Sequence, residues 1–301
     1  MININFKHSL IFFNLCILSS PFYFLINNEP IILCLFLILF LGISHGSLDN
    51  IKGAKLMKLL GYKSIFLFYT FYLLISLFII LSWTLLPNAI LLLFLIIGAY
   101  HFGREDTIEQ IKSNFFFPEI LYFLKGSSVI IAPLYFNRQE TIEIFQILNF
   151  SVFETSLFRD YSLIIFLILS FLSSILLSSK RNINFKSLMI IDFFSIIILN
   201  YFLTPVLAFT IYFCFLHSIR HSISLIFELD KTFKVGLKKF IKKAIPLTVI
   251  TATMFIIAIY TLDNFYRLDE AIYKVIFIGL ASLTFPHILL EYLLEKNEKR
   301  A

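Results

Sequence analysis

The sequence predicts an all-α integral membrane protein: a bundle of about ten transmembrane helices in a single domain over residues 1–301, with both termini in the cytoplasm. Composition is the first reason, because 59% of the residues are hydrophobic and only 15% are charged. Soluble domains contain roughly 45–50% apolar and 25% charged residues. A soluble protein with this deficit could not cover its own surface, and a disordered chain would have far less to bury.

Apolar runs separated by short turn signals are the second reason, and they locate the predicted helices. The second and fourth runs are short for a full crossing. We therefore expect them to be tilted, broken or re-entrant inside the protein. In chain order, the predicted spans are residues 9–26, 31–45, 63–86, 88–103, 115–136, 160–179, 186–203, 205–228, 244–262 and 271–294.

The distribution of positive charge is the third reason, and it predicts the orientation. The predicted loop at 229–243 carries six lysines, whereas the loop at 137–158, on the opposite side, carries three glutamates and one arginine. Cytoplasmic loops are enriched in Lys and Arg, so this pattern places both termini in the cytoplasm of a multi-pass protein of the cell (inner) membrane. The net charge of +6 then reflects topology and contact with anionic lipid, not nucleic-acid binding.

Five of the six histidines lie in or at the ends of predicted spans. They are His45, His101, His217, His221 and His287. Ionisable side chains are costly in a bilayer and tend to be functional there. On the predicted topology, all five fall between the midplane and the inner surface. His217 and His221 form the motif H-S-I-R-H, whose i,i+4 spacing places two imidazoles on one helical face, where they can ligate one metal ion.

Acidic residues follow several of these histidines by about one turn. They are Asp49, Glu105, Asp106 and Glu291. A metal-bound histidine usually donates its second N–H to a carboxylate or carbonyl, so these acids either hold the imidazoles or are interfacial charges at helix ends. Arg220 either extends towards the inner surface or pairs with one of them. Gly46 and Gly103 are expected to let the backbone turn, so that the imidazoles approach a shared centre.

Ligation by imidazoles alone favours iron, copper or zinc over magnesium or calcium. Four neutral histidines that leave coordination positions open suit Fe(II). The surrounding spans are strongly apolar, so the expected substrate is a lipid. The residues by themselves therefore predict a membrane-embedded iron oxygenase.

Four motifs in order resemble those of the Brp/Blh family of bacterial and archaeal β-carotene 15,15'-dioxygenases. They are S-H-G-S-L-D at 44–49, Y-H-F-G-R-E-D at 100–106, H-S-I-R-H at 217–221 and F-P-H at 285–287. The chain departs from the family pattern at Ser44, where proline is common, and at Arg104, where an acidic residue is expected. These departures leave the carotenoid range open.

The resemblance implies an integral membrane enzyme that uses Fe(II) and O₂ to split the central double bond of β-carotene into two molecules of all-trans-retinal. It implies His45, His101, His217 and His221 as the iron ligands. His287 matches the last motif, and we expect it to support a ligand or line the substrate cavity, with a fifth ligand as the alternative. No other catalytic residue is assigned. A functional link to a retinal-binding rhodopsin is also implied.

Three other functions fit a membrane protein rich in histidine. A lipid desaturase or hydroxylase with two irons would need more histidines than these five. A haem electron carrier with two axial histidines is disfavoured by the i,i+4 pair, because both imidazoles would approach one face of the haem. The third is a transporter or channel that uses histidines as proton relays. Assays of bound metal and of retinal formation distinguish it from the oxygenase.

Overall fold

The computed structural model describes residues 2–25, 30–62, 64–107, 118–151, 160–179 and 181–298. Every regular element in these ranges is helical, which confirms the all-α prediction. The α-helices are α1 (Ile2–Ser19), α2 (Ile31–Leu37), α3 (Asp49–Leu59), α4 (Ile65–Leu85), α5 (Pro87–Glu105), α6 (Pro118–Phe136), α7 (Arg138–Ile147), α8 (Asp160–Ser178), α9 (Ile183–Phe202), α10 (Pro205–Ile211), α11 (Ile219–Leu229), α12 (Phe233–Leu262) and α13 (Leu268–Glu298).

Eight continuous helical segments among the described residues are long and apolar enough to cross a membrane. They are α4, α5, α6, α8, α9, the run Pro205–Leu229 that contains α10 and α11, α12, and α13. The chain is therefore a polytopic helical membrane protein. Most residues of α4 and α12 are exposed on the protein surface, as expected for helices that face lipid. The run Pro205–Leu229 is the most buried of the eight segments.

The two predicted spans nearest the N-terminus are not among these eight. The first corresponds to α1 followed by a 3₁₀ helix at Ser20–Leu25. The second is broken, as expected, because α2 passes into a π-helix at Ile38–Gly42 and then a 3₁₀ helix at Ile43–Leu48.

The expectation of a short fourth span was wrong, since α5 extends over 19 residues to Glu105. The polar residues at its end continue the helix. The loop predicted at 229–243 was also largely wrong, because α12 already begins at Phe233. Lysine is a good helix former, so the lysine-rich segment forms the first turns of that helix. Residues 108–117 and 152–159, which fall largely in predicted loops, lie outside the described residues.

The chain divides into two compact units. Unit 1 comprises Met1–Gly42 and Leu95–Ser224. In it, α6 and α9 pack against α8, and α1 packs against α9. Part of its core is a buried cluster formed by Tyr122, Leu177, Phe185, Leu188 and Met189.

Two glycines set the approach of α5 and α6 in unit 1. A methyl group at Gly103 would overlap the carbonyl oxygen of Tyr122, and one at Gly126 would overlap the carbonyl oxygen of Ala99. Gly103 lies inside α5, so the expectation that it allows a backbone turn was wrong. It instead lets a neighbouring helix backbone come close.

Unit 2 comprises Ile43–Phe94 and Leu225–Ala301. In it, α13 packs against α3 and α4, and α12 packs against the 3₁₀ helix at Ile43–Leu48. One of its buried clusters is formed by Leu56, Met57, Phe68 and Leu290. A second is formed by Leu48, Leu225, Ile226, Phe240 and Ala244.

Candidate metal centre

The histidine pair lies where a π-helix joins an α-helix. The π-helix covers Tyr212–Ser218, so His217 is near its end, and His221 lies in the first turn of α11. In an α-helix, residues five apart point about 140° away from each other. The wider π turn brings Tyr212 and His217, five residues apart, to the same neighbour. Such π segments occur frequently at functional sites.

That shared neighbour is the carboxylate of Asp106. Nδ1 of His217 lies 2.9 Å from Oδ1 of Asp106, and the hydroxyl of Tyr212 donates to Oδ2 at 2.6 Å. All three residues are buried. Because an ionised carboxylate only accepts hydrogen bonds, this contact places the imidazole proton on Nδ1. Nε2 is then the nitrogen with the lone pair, the form in which histidine binds metals.

His221 has the same arrangement with the preceding acid. Its Nδ1 lies 3.1 Å from Oε2 of Glu105. The two adjacent acids at the end of α5 therefore serve the two histidines of the H-S-I-R-H motif. In the sequence both acids follow His101 by about one turn, and the structure brings them to His217 and His221.

His101 is buried and lies on α5 beside His217. The centroids of the two imidazole rings are 5.4 Å apart, with the rings edge to face. Phe102 and Phe213 also contact the His217 ring, at centroid distances of 5.0 and 5.8 Å. Unit 1 thus places His101 next to the predicted histidine pair and encloses His217 in aromatic side chains.

Arg220 does not take either of its predicted positions. Its guanidinium group binds Asp192 through two hydrogen bonds of 2.7 and 2.9 Å, and it donates a third to Ser9 at 2.7 Å. Arg220 and Asp192 are both buried. The prediction that Arg220 extends inward or pairs with one of the acids near the histidines was therefore wrong. Asp192 was missed, although a single carboxylate inside a predicted span is itself a signal of function or pairing.

Unit 2 contains a second contact of the same kind. Nδ1 of His287 lies 2.9 Å from both carboxylate oxygens of Asp49, and the hydroxyl of Tyr72 donates to Oδ2 of Asp49 at 2.9 Å. Nε2 of His287 lies 3.8 Å from Oε1 of Glu291, which also binds Lys52. Tyr72 and Tyr212 were missed, because nothing in the sequence distinguishes them from the other tyrosines.

The remaining predicted ligand is His45. Its backbone lies in the 3₁₀ helix at Ile43–Leu48, and its side chain lies outside the described part of the chain. Asp49 follows His45 in the sequence, and in the structure its carboxylate contacts Nδ1 of His287.

The chemistry of these donors fits a divalent transition metal. Imidazole nitrogens suit iron, copper and zinc, and a carboxylate on the second ring nitrogen is the usual support of a metal-binding histidine. His217 and His221 both have this support, and Phe102 and Phe213 pack against the ring of His217.

Comparison with known proteins gives a consistent result. The family model described as beta-carotene 15,15'-dioxygenase matches residues 36–295. A curated relative from an uncultured marine bacterium, 66A03, carries the name beta-carotene 15,15'-dioxygenase. It is 30% identical over 275 residues, which cover 88% of this chain and 94% of the relative. No solved structure matches the chain.

Proposed function

This chain belongs to the beta-carotene 15,15'-dioxygenase family, and from that premise we propose that it cleaves the central double bond of β-carotene with O₂ to give two molecules of all-trans-retinal. The family membership confirms the resemblance to this family that the four sequence motifs indicated. The proposal includes Fe(II) as the cofactor, the cell membrane as the location, and the supply of retinal to a rhodopsin as the physiological role.

His45, His101, His217 and His221 are the proposed iron ligands. The bound iron supplies the redox chemistry that lets O₂ react with a carbon–carbon double bond. The observation that carries the assignment of His217 and His221 is the pair of carboxylate contacts, from Asp106 to His217 and from Glu105 to His221, whereas His45 and His101 are assigned from the sequence motifs of the family. These contacts keep the proton on Nδ1 of each imidazole, so that Nε2 presents its lone pair to a metal.

Neighbouring side chains set the orientation of the His217 imidazole. Tyr212 binds the second oxygen of Asp106 and so fixes the plane of the carboxylate. Phe102 and Phe213 pack against the His217 ring and restrict its orientation. The substrate is a long hydrocarbon that dissolves in the bilayer, which agrees with a chain whose exposed surface is largely apolar.

Expression in cells that already make β-carotene tests the activity. We expect the orange pigment to disappear and retinal to accumulate, as measured by extraction and chromatography. The His217→Ala variant should leave the pigment intact while still inserting in the membrane, since loss of a ligand removes the metal. Persistent β-carotene in cells with verified wild-type expression and an adequate iron supply would contradict the proposal.

The metal content of the purified protein tests the cofactor independently. We expect iron in the wild type and its loss in each single alanine variant of the four histidines. A haem absorption band in the wild type would instead support the electron-carrier alternative. Full iron content in any of the four variants would remove that histidine from the ligand set.

A further inference from the structure

A polar cavity of about 160 Å³ lies within unit 1, next to the histidine pair. It extends from His217, in the middle of the run Pro205–Leu229, to Asn5 near the beginning of α1 and Thr107 just after the end of α5. The residues relevant to its role are Asn5, Glu105, Asp106, His217, Arg220 and His221. We refer to it as the polar cavity.

Two buried polar atoms of the residues that line this cavity have no hydrogen-bond partner among the described residues. One is Oδ1 of Asn5, whose residue is 3% exposed, and the other is Nε of Arg220, also 3% exposed. The first is an acceptor and the second a donor. Buried polar groups in native proteins are almost always satisfied by protein or by ordered water. Water can serve both atoms, because it donates and accepts.

The cavity is large enough for this role, since one water molecule occupies about 30 Å³ in the liquid. Its lining carries two carboxylates, those of Glu105 and Asp106, and two guanidinium groups, those of Arg104 and Arg220. The two carboxylates hold the imidazoles of His217 and His221. The positive charge of Arg220 is neutralised by its two hydrogen bonds to Asp192.

We infer that the polar cavity is a water-filled passage through which a hydrated divalent cation reaches His217 and His221. This inference rests on the proposed function, which makes Fe(II) the cation. A dication cannot enter the hydrocarbon region without its water, because an uncompensated buried charge is prohibitively costly. It needs a polar route from the aqueous phase to the imidazoles. Within unit 1, the polar cavity connects these histidines to helix ends.

Ser224 provides a way to close this passage after the protein has folded. It lines the cavity and is exposed on α11. In a Ser224→Cys variant, a bulky methanethiosulfonate reagent attaches to the new thiol, and a phosphine reductant removes it. Cys16, Cys34 and Cys214 are buried, which protects them from the reagent. Ser222→Cys on the same helix is the matched control, because Ser222 does not line the cavity.

The measurement is the rate at which metal-free protein in lipid nanodiscs takes up Fe(II) under anaerobic conditions. We expect modification of Ser224→Cys to slow uptake about tenfold or more, equivalent to a barrier higher by about 1.4 kcal/mol. The final iron content should be unchanged, reduction should restore the rate, and modified Ser222→Cys should load like the wild type. An Asn5→Leu variant, which replaces a polar lining group by an apolar one, should also load slowly.

Equal rates before and after modification of Ser224→Cys, together with normal loading of Asn5→Leu, would overturn the passage. A lower final iron content at an unchanged rate would also overturn it, since the cavity would then belong to the binding site and not to the route. A wild type that takes up no Fe(II) would overturn the proposed function itself. These results are distinguishable in one experiment.

Discussion

Asp106 is the residue on which the geometry of the histidine pair most depends. One carboxylate oxygen accepts a hydrogen bond from Nδ1 of His217, and the other accepts one from the hydroxyl of Tyr212. The residue thus links the end of α5 to the π-helix at Tyr212–Ser218. Glu105, one position earlier, does the same for His221. Two consecutive side chains therefore set the orientation of both imidazoles.

Loss of this carboxylate should weaken metal binding without removing a ligand. We expect Asp106→Ala to lower the affinity for iron by about 10–100-fold, the usual effect of losing the group that orients a metal-bound histidine. Competition with a chelator of known affinity measures the change. Glu119→Ala, an exposed residue in the first turn of α6, is the control. Unchanged affinity in Asp106→Ala would show that the carboxylate does not orient a ligand.

The ion pair between Arg220 and Asp192 should dominate the stability of its surroundings. Removing one partner of a buried pair leaves an uncompensated charge and costs about 3–5 kcal/mol. We expect Asp192→Asn to lower the free energy of unfolding in detergent by this amount. Asp160→Asn should cost no more than about 1 kcal/mol, because its pair with Arg138 is largely exposed. Similar small losses in both variants would contradict the structural role of Arg220.

His287 has the same carboxylate contact as His217 and His221, and its other nitrogen lies 3.8 Å from Oε1 of Glu291. Because the four proposed imidazole ligands already hold Fe(II) and a fifth would crowd the positions left for O₂, we expect His287→Ala to retain iron and to lose turnover, as a residue that supports the site or lines the substrate cavity would. Iron content and retinal yield of the same purified sample measure the two effects. A loss of iron equal to that of His217→Ala would make His287 a fifth ligand.

At the scale of helices, the contact between α5 and α6 depends on the absence of side chains at two positions. Gly103 and Gly126 allow each backbone to approach a carbonyl oxygen of the other helix. Small residues at such contacts are the usual means of close helix packing in membranes. Since α5 ends in Glu105, this contact also fixes the position of the acids that hold the histidine pair.

A matched pair of substitutions within α5 tests this contact. Gly103→Ala should be destabilising by about 1–3 kcal/mol, because the added methyl group forces the two helices apart. Gly98→Ala should be neutral or stabilising by up to about 1 kcal/mol, because the nearest atom to an added methyl group is Cε2 of Phe102 at 3.9 Å. Thermal unfolding in detergent compares them. Equal effects of the two substitutions would argue against a close contact at Gly103.

The sequence predicted the helices of the described chain more reliably than their ends or their contacts. Long apolar runs identify spans because a bilayer requires them. The start of α12 at Phe233 was missed because charged residues can continue a helix beyond the membrane. The π-helix at Tyr212–Ser218 was missed because apolar periodicity does not reveal one extra residue in a turn. Partners such as Asp106 and His217, 111 residues apart, depend on helix packing, which spacing along the chain does not specify.

At the scale of the whole molecule, the orientation in the membrane remains a prediction from charge. Lysines in the first turns of α12 should face the cytoplasm, and α7 should face the opposite side. In intact cells, an impermeant thiol reagent should therefore label Gln139→Cys and spare Lys238→Cys until the membrane is opened. The three native cysteines are buried and give little background. Labelling in the reverse order would invert the topology.

The buried pair of Arg220 and Asp192 also has a consequence for how the chain is made. Asp192 lies on α9, and Arg220 lies in the next span, Pro205–Leu229, after a connection of two residues. Either charge alone would raise the free energy of transfer from the translocon to lipid by about 2.5–3.5 kcal/mol. Once the second span has emerged from the ribosome, the two charges pair and each neutralises the other. We therefore expect α9 to remain at the translocon until its successor arrives, so that the two enter the lipid together as a helical hairpin.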